Sequence, residues 1–379
     1  MTRSAYITST GAFLPGEPVP NERMEQYLGA ISERRSRLGR FVLRQNGIQT
    51  RHYALTPEGV YLHTNAQMAA LAIQDALRRS QVDEQKLSFL ATATTQGDLL
   101  VPGFASSVHG ELGLRPMELA SFQSVCASSM MAVKSAYLQV LAGEHDCAIA
   151  CAAEFSSRFF QPAIYTAVER DAQAEESSAE LMETEFLRWT LSDGAGAWLL
   201  ESQANQHRRS LKIEWIDICS YADRFESCMY SGSASNRAAE LKPWGHYESP
   251  IAASRQGALL LKQDFNLLYR MFPVWAKHYL ELIDRRALRP ERIDHFLAHY
   301  SSHSLRQEII KLLEKTGAMV PESRWFTNLT SQGNTGAASI FLMLHKLLEE
   351  RAVEPGQQIL CFVPESGRCM IAFMLLTVV

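Results

Sequence analysis

The chain contains two related stretches, Gln123-Ser-Val-Cys126-Ala-Ser-Ser-Met-Met-Ala-Val133 and Ser331-Gln-Gly-Asn334-Thr-Gly-Ala-Ala-Ser-Ile-Phe341. Both place a polar residue just before a predicted helix that opens with small side chains. Each predicted helix leads through a polar connection into an apolar strand, Cys147–Ala152 or Gln358–Phe362. Asn334 lies 208 residues after Cys126, more than half of the 379-residue chain. The pattern predicts a duplicated fold; ordinary core helices with incidental similarity are the alternative.

Working outward from these stretches, strand-like and helical segments alternate. A predicted strand, Phe89–Thr94, precedes a helix near Ala105–Leu112, and a helix from Ala127 to about Leu141 precedes the strand Cys147–Ala152. Such alternation indicates an α/β fold with parallel strands. The strands are apolar almost throughout, which is typical of sheets covered on both faces. The sheets are therefore predicted to be interior layers.

Composition narrows the functional classes. The chain is 46% hydrophobic and 21% charged with a formal net charge of -4, which predicts a folded protein and argues against a nucleic-acid partner. The first 16 residues lack a signal-peptide pattern, and the longest apolar run, Met370–Val379, is too short to span a bilayer. We therefore expect a cytoplasmic protein without a membrane partner. Seven cysteines without metal-ligand spacing predict free thiols and no metal site.

Cys126 is the strongest candidate for a chemical role. Its predicted place at a helix N-terminus should lower the thiol pKa, because free N–H groups and the helix dipole favour a thiolate. A thiolate is a good nucleophile and leaving group, as reversible acyl transfer between thioesters requires. A buried, inert cysteine is the alternative, and we favour it for the strand residues Cys147, Cys151 and Cys361.

His299 and Asn334 are candidates to stabilise negative charge. The run Phe296–Ala298 predicts a strand that ends at His299, and sites collect at strand ends in α/β sheets. A neutral imidazole there could donate its Nε2–H to a thioester oxygen and stabilise an enolate. His295 and His303 compete for this role. Asn334 offers a neutral amide donor, although a turn or N-cap asparagine is the ordinary interpretation.

Two stretches are less regular. Phe159–Leu191 is interrupted by an acidic cluster, and we predict an insertion over the site or at a subunit contact; the cluster comprises Glu169, Asp171, Glu175 and Glu176. The polar stretch Ser220–Arg255 is predicted to be an exposed loop.

Taken together, the motifs resemble the ketoacyl synthase III family, the initiating condensing enzymes of fatty-acid and polyketide synthesis, over almost the whole chain. The opening strand and loop are similar to Tyr6–Pro15 with Asn21, and the family's R-T-G-I-x-x-R segment resembles Arg44–Arg51. Its T-x-T-x-D…P stretch resembles Thr92–Asp98 with Pro102. Its G-D-G-A-G-A and G-N-T-S-A-A-S signatures resemble Ser192–Ala197 and Gly333–Ser339.

The resemblance implies a thiolase-like fold, in which duplicated βαβαβ halves form a five-layered αβαβα arrangement. The implied halves are residues 1–205, with the nucleophilic cysteine, and 206–379, with the histidine and asparagine. It also implies that Cys126 is acylated, that His299 and Asn334 bind the second thioester, and that the enzyme is a homodimer using acyl-coenzyme A or acyl carrier protein thioesters. No metal or redox cofactor is implied. Arg44 and Arg51 are candidate donor-binding residues; a structural role is the alternative.

Departures from the family pattern indicate specialisation. The family's H-Q-A-N reads His299-Tyr-Ser-Ser302, and its G-F-G-x-G loop reads Val363-Pro-Glu-Ser-Gly367. Since Pro364 has no N–H, an oxyanion hole that pairs the Cys126 N–H with a donor from this loop must take that donor from Glu365, Ser366 or Gly367. These departures and the Phe159–Leu191 stretch favour a specialised pathway over housekeeping fatty-acid initiation.

The leading function is Claisen-type carbon–carbon bond formation between two acyl thioesters. Acyl transfer from Cys126 to a hydroxyl or amine is one alternative, and an inactive partner subunit is another, which the presence of Cys, His and Asn together disfavours. Glu154 follows a strand in the same half as Cys126. A structural carboxylate is the ordinary interpretation, but Glu154 could be an additional base if the product is a cyclohexanedione, as in dialkylresorcinol and stilbene pathways.

Overall fold

The fold is seen in a computed structural model, which describes residues 3–80, 82–168, 178–286 and 288–379. The strands in these ranges are β1 Tyr6–Phe13, β2 Val19–Pro20, β3 Thr50–Arg51, β4 Phe89–Thr94, β5 Glu118–Gln123, β6 Cys147–Glu154, β7 Gly194–Glu201, β8 Leu211–Ser220, β9 Met229–Tyr230, β10 Lys262–Gln263, β11 His295–Ala298, β12 Trp325–Phe326, β13 Gln358–Glu365 and β14 Met370–Val378.

The helices are α1 Met24–Leu28, α2 Glu33–Asn46, α3 Asn65–Ser80, α4 Phe104–Leu112, α5 Ser128–Ala142, α6 Pro162–Thr166, α7 Ser178–Arg188, α8 Pro250–Arg255, α9 Phe265–Arg286, α10 His303–Thr316, α11 Leu329–Gln332 and α12 Ser339–Glu350. Among these described helices, none combines the length and the apolar character that a bilayer crossing needs.

The predicted central strands are confirmed. Every residue of β4 and β6 is buried, and β13 is buried except at Gln358 and Pro364. Their apolar side chains point to both faces of the sheet, so helices must cover both faces. The predicted helices before and after Cys126 are also present, as α4 and α5.

A ten-stranded sheet runs through the described chain in the order β12-β11-β13-β14-β8-β1-β7-β6-β4-β5. It consists of two five-stranded halves with the same topology. In chain order, the strands of the two halves are β1, β4, β5, β6, β7 and β8, β11, β12, β13, β14. In each half the second strand pairs in parallel with the third and fourth, and the fifth pairs antiparallel with the fourth and first. The halves join where β1 pairs with β8 over two residue pairs. The expected boundary at 205/206 lies in the connection between β7 and β8.

The duplicated fold is present, but the alignment of Cys126 with Asn334 is wrong by three residues. The central helices α5 and α12 begin at Ser128 and Ser339, which are 211 residues apart. The strands that follow, β6 and β13, end at Glu154 and Glu365, which are also 211 residues apart. The short turn Gly336–Ala338 precedes α12 and accounts for the difference, so Cys126 corresponds to Ala337.

The layers follow from where the helices pack. Helix α5 contacts β4, β6 and also β8 of the other half, and α12 contacts β1 and β7. The ring of Phe341 on α12 lies 4.3 Å from that of Trp198 on β7. On the outer faces, α3 packs on β1 and β7, and α9 packs on β14 through Tyr279 and Phe373, whose rings are 5.4 Å apart. The result is the five-layered αβαβα arrangement of a thiolase-like fold.

Candidate active site

One cavity of about 460 Å³ is lined by Cys126, His299 and Asn334. Cys126 lies between β5 and α5, His299 follows β11, and Asn334 lies between α11 and α12. Strand ends meet here because β4, β5 and β6 are parallel, as are β11, β12 and β13. The volume lies in the range of small-molecule sites. The three predicted residues are therefore brought together.

Cys126 is 9% exposed and immediately precedes Ala127, the N-cap residue of α5. Its predicted place beside a helix N-terminus is confirmed. The expected lowering of its pKa is wrong: burial, together with the negative charges of Glu365 and Glu154, raises the pKa of the Cys126 thiol well above its ordinary value. The unloaded protein therefore holds a neutral thiol, and forming the thiolate requires a proton acceptor.

His299 is the histidine of the three candidates that lines the cavity. Its backbone N–H donates to the Phe362 carbonyl at 2.8 Å, which continues the β11–β13 pairing past the strand end. Burial lowers the pKa of His299 to about 4, so the imidazole is neutral at physiological pH. His295 is the first residue of β11, and His303 begins α10 against Gly47.

Hydrogen bonds hold both the side chain and the backbone of Asn334 in place. Its Oδ1 accepts from the Gly336 N–H at 2.9 Å and the Ser339 hydroxyl at 3.4 Å. Its backbone N–H donates to the Thr190 carbonyl, and its carbonyl accepts from the Ser192 N–H at 2.8 Å. With Oδ1 engaged, the amide presents its N–H groups as donors. The Ser192–Ala197 motif thus helps to position Asn334, a link that spans the chain and that sequence alone did not reveal.

Glu154, the last residue of β6, lines the same cavity. Its Oε1 accepts from the Thr95 N–H at 3.0 Å, the Thr95 hydroxyl at 2.7 Å and the Ala337 N–H at 3.2 Å. Burial outweighs these bonds and raises the pKa of Glu154 to about 7. Gly336 adopts a φ of +53°, and a Cβ there would lie 3.1 Å from Glu154 Oε1, so glycine both permits the turn and leaves room for the carboxylate.

The Val363–Gly367 stretch contributes a functional candidate that sequence reasoning missed. Glu365 was considered only for its backbone N–H, yet its side chain lines the cavity with Ser366 and Gly367. Its Oε1 accepts from the Ser124 hydroxyl at 2.6 Å and its Oε2 from the Ala127 N–H at 2.9 Å. Burial raises the pKa of Glu365. The available signal was a carboxylate at a strand end where the family has glycine.

Neither candidate arginine is among the residues that line the cavity. Arg44 is exposed, with its guanidinium 6.0 Å from the Phe41 ring centroid, and its predicted donor-binding role stays a prediction. Arg51 is fully buried and donates to Asn21 Oδ1 at 2.8 Å. Its position is structural, because a side chain enclosed by protein cannot reach a phosphate in solvent.

The changed residues after His299 have a structural consequence. Ser302 is the N-cap of α10, and its hydroxyl accepts from the Leu305 N–H at 3.2 Å. Tyr300 and Ser301 line the cavity beside His299.

The inner wall of the cavity is apolar and comes largely from α9 and α10. Five side chains on these helices contribute: Leu268, Phe272, Trp275, Leu305 and Ile309. Phe159, Leu187 and Leu191 also line it, as expected for a segment over the site, while the acidic cluster 169–176 lies outside the described residues. The Ser220–Arg255 stretch is more than an exposed loop, since Ser220, Ser227 and Met229 line the cavity.

Comparisons with known proteins agree with this fold. A family model described as 3-oxoacyl-[acyl-carrier-protein (ACP)] synthase III C terminal matches residues 283–375, and one described as beta-ketoacyl synthase, N-terminal domain, matches residues 39–205. A beta-ketoacyl-[acyl-carrier-protein] synthase III of Ruegeria is 24% identical over 95% of this chain and 94% of its own length. One of Porphyra purpurea is 26% identical over 93% of both.

Two solved structures have similar folds. AbyA1, a tetronic acid condensing enzyme, superposes with a TM-score of 0.76 at 20% identity, covering 99% of this chain and all of its own. Xanthomonas campestris OleA with bound lauric acid and lauroyl-CoA also has a TM-score of 0.76, at 17% identity and full coverage of both chains. The chain belongs to the ketoacyl synthase III-like family of the thiolase superfamily, and it is a condensing enzyme of that type.

Proposed function

We propose that this protein loads an acyl group from an acyl-coenzyme A or acyl carrier protein thioester onto Cys126. It then joins that acyl group to a second thioester by Claisen-type carbon–carbon bond formation in specialised lipid or polyketide biosynthesis. The observation that carries the proposal is the convergence of Cys126, His299 and Asn334 on one cavity. These residues come from three separate segments of the two halves.

The assigned roles follow from the chemistry of each group. The Cys126 acyl thioester is the electrophile. The neutral His299 imidazole and the Asn334 amide donate hydrogen bonds to the thioester carbonyl oxygen of the second substrate, which stabilises the enolate as it forms. With a malonyl unit, loss of CO2 generates the enolate. The enolate carbon attacks the acyl carbonyl, the new carbon–carbon bond forms, and Cys126 leaves as a thiolate.

The apolar wall supports an acyl chain as the loaded group. Aliphatic and aromatic side chains from α9 and α10 offer burial for a hydrocarbon, worth about 0.8 kcal/mol per methylene. The structural relative with bound lauroyl-CoA supports a fatty-acyl donor by similarity.

Glu154 supports a β-ketoacyl thioester as the second substrate. Removing a proton that lies between two carbonyls needs a base with a pKa near neutral, and burial raises the pKa of Glu154 to about 7. With an α,β-unsaturated acyl group on Cys126, the carbanion between the two carbonyls adds to the acyl β-carbon. The γ-carbon of the β-ketoacyl unit then loses a proton and attacks the Cys126 thioester carbonyl, which closes a cyclohexanedione ring and releases the Cys126 thiolate.

A homodimer is part of the proposal. Strand β5 lies at one end of the ten-stranded sheet, and all of its residues are exposed or half-buried. An edge strand of this kind can pair with a second copy, and sedimentation velocity measurements of the purified protein test this.

Intact-mass analysis after incubation with a panel of acyl thioesters, followed by product analysis with malonyl and β-ketoacyl thioesters, tests the function. We expect one acyl adduct on Cys126 and a condensed product from a second thioester. Acyl loading followed by transfer to a hydroxyl or amine, without a new carbon–carbon bond, would replace condensation with acyl transfer. Failure of every donor to load would favour the inactive partner subunit.

A further inference from the structure

The Glu365 side chain spans the segment that contains Cys126. It accepts a hydrogen bond from Ser124, two residues before the cysteine, and another from the Ala127 N–H, directly after it. It is 1% exposed and lines the same cavity as the thiol. A cap for the following helix would account for the bond to Ala127, but not for a carboxylate placed in the cavity.

The loop around Glu365 is built to accommodate this side chain. A Cβ at Gly367 would lie 2.9 Å from Glu365 Oε1 and 3.0 Å from Val125 Cγ2. Glycine at 367 therefore leaves space that Glu365 fills beside the segment of Val125 and Cys126. The third position of the family's glycine-rich loop has become a glutamate, while the glycine at its fifth position has been kept.

The neutral Cys126 thiol needs a proton acceptor within this cavity. Its other ionisable lining residues are Glu154, Tyr230, His299, Tyr300 and Arg368. Burial lowers the pKa of His299 to about 4, which makes the imidazole a weak base. Glu154 binds Thr95 and the Ala337 N–H, whereas Glu365 binds the Cys126 segment itself and has the larger electrostatic effect on the thiol.

We propose that Glu365 is the general base that accepts the Cys126 thiol proton during acyl loading, directly or through one water. This inference rests on the proposed function, because it assigns a role within the loading half-reaction. The proton moves from Sγ to the carboxylate as the sulfur attacks the donor carbonyl and forms the new thioester bond. The bond to the carrier sulfur breaks, and the departing thiolate takes the proton from the Glu365 carboxylic acid, which restores the carboxylate.

Glu365→Gln is the decisive substitution, because the amide oxygen can still accept from the Ala127 N–H while the basicity is lost. We expect loading from an acyl-coenzyme A to be slower by about 100-fold or more at pH 7. The deficit should narrow towards pH 10, since hydroxide can then ionise the thiol without the carboxylate. A purely structural role predicts a deficit that is small or independent of pH.

Two variants make the test independent of folding. Ser124→Ala removes one hydrogen bond to Glu365 but keeps the carboxylate, so its loading rate should stay within about tenfold of the parent rate. Glu365→Asp should keep a pH-dependent rate above that of the glutamine variant. If Glu365→Gln does not fold, Glu365→Asp takes its place in the test. A folded aspartate variant that loads more slowly at every pH, by a factor that does not change with pH, would overturn the proposal.

Loading by Glu365→Gln at the parent rate at pH 7 would also overturn the proposal, as would a deficit that does not change between pH 6 and pH 10. If the unmodified protein loads no donor at all, the proposed function itself fails. Loading by the unmodified protein with a normal Glu365→Gln rate removes only the role of Glu365.

Discussion

Glu154 and Glu365 occupy equivalent positions in the two halves, and each binds the other half of the chain. Each is the last residue of the fourth strand of its half. Glu154 accepts from the Ala337 N–H at 3.2 Å, and Glu365 accepts from the Ala127 N–H at 2.9 Å. Two buried carboxylates thus lie on opposite sides of the two-fold pseudosymmetry, in the cavity that holds Cys126. Burial of such groups disfavours their charged forms, and buried carboxylates with a raised pKa in a cavity are candidates for a chemical role.

The stability of the protein should report the cost of burying Glu154. Its pKa is about 7 when folded, against an ordinary value near 4.5. The folded state therefore binds the proton more tightly, and this contribution, complete below pH 4.5, is lost as the pH rises through 7. We expect Glu154→Gln to be more stable than the parent by about 1–3 kcal/mol at pH 8 and by less at pH 5.

Urea unfolding at the two pH values measures this difference. Glu111→Gln, a change at an exposed glutamate on α4, is the control and should leave the difference between pH 8 and pH 5 unchanged. A Glu154→Gln protein less stable than the parent at pH 8 would show that the carboxylate stabilises the fold.

Glu154 should also set the pH dependence of ring formation. Since burial raises its pKa to about 7, the rate with an acyl donor and a β-ketoacyl thioester should rise as the pH increases through 7. His299, with a pKa of about 4, should add no change between pH 5 and pH 8. Glu154→Gln should load acyl groups normally and form at least about 100-fold less cyclic product. Normal cyclic product from this variant excludes Glu154 as the base.

Cys126→Ala should abolish covalent loading while the protein stays folded. Small residues follow this position, and the α5 start tolerates alanine because Ala127 already serves as its N-cap. Intact-mass analysis after incubation with an acyl thioester should show no adduct, and the melting temperature should stay close to that of the parent. Cys219→Ala, on β8, is the matched control and should load fully. An adduct on the Cys126→Ala protein would reassign the nucleophile.

His299→Ala and Asn334→Ala should separate the half-reactions. Both groups act on the second thioester, so each variant should still acquire an acyl group on Cys126 but lose condensation by about 100-fold or more per hydrogen-bond donor. Single-turnover loading and product formation measured on the same sample give the comparison. If either variant, correctly folded, fails to load as completely as Cys126→Ala, the division of roles is incorrect.

The sequence predicted Cys126, His299 and Asn334 as site residues because each lies in a local motif at a strand end or helix start. The sequence did not predict a role for the Glu365 side chain, because that role depends on a contact with Ala127, 238 residues away in the chain. The repeat was recognised but misaligned by three residues, because the Gly336–Ala338 turn inserts before α12 without changing the small-residue pattern. Arg51 matched a family motif, yet only the packing shows that its guanidinium is enclosed beside Asn21.

The sequence also could not predict the length of the acyl chain, because the cavity wall is formed by packing between α9 and α10. Phe272, Trp275 and Ile309 line the cavity on one side and a small apolar cleft on the other. That cleft measures about 20 Å³ and continues between Tyr279, Phe296, Leu312, Leu313, Phe362 and Phe373. These three side chains therefore lie between the cavity and the cleft.

Phe272→Ala should open the cavity into this cleft and shift the preferred acyl donor to a longer chain. A difference of one methylene between two donors is worth about 1–3 kcal/mol in discrimination. We therefore expect the ratio of kcat/KM for a donor two carbons longer to kcat/KM for the donor that the parent prefers to rise at least tenfold. Because truncating a buried phenylalanine costs about 3–5 kcal/mol of stability, Phe272→Leu serves as the milder variant and should shift the preference in the same direction. Leu138→Ala, at a half-exposed position on α5, controls for a general effect of losing an apolar side chain. Loading rates across a series of saturated acyl-coenzyme A donors measure the preference, and a uniform fall for all chain lengths would place the acyl chain elsewhere in the cavity.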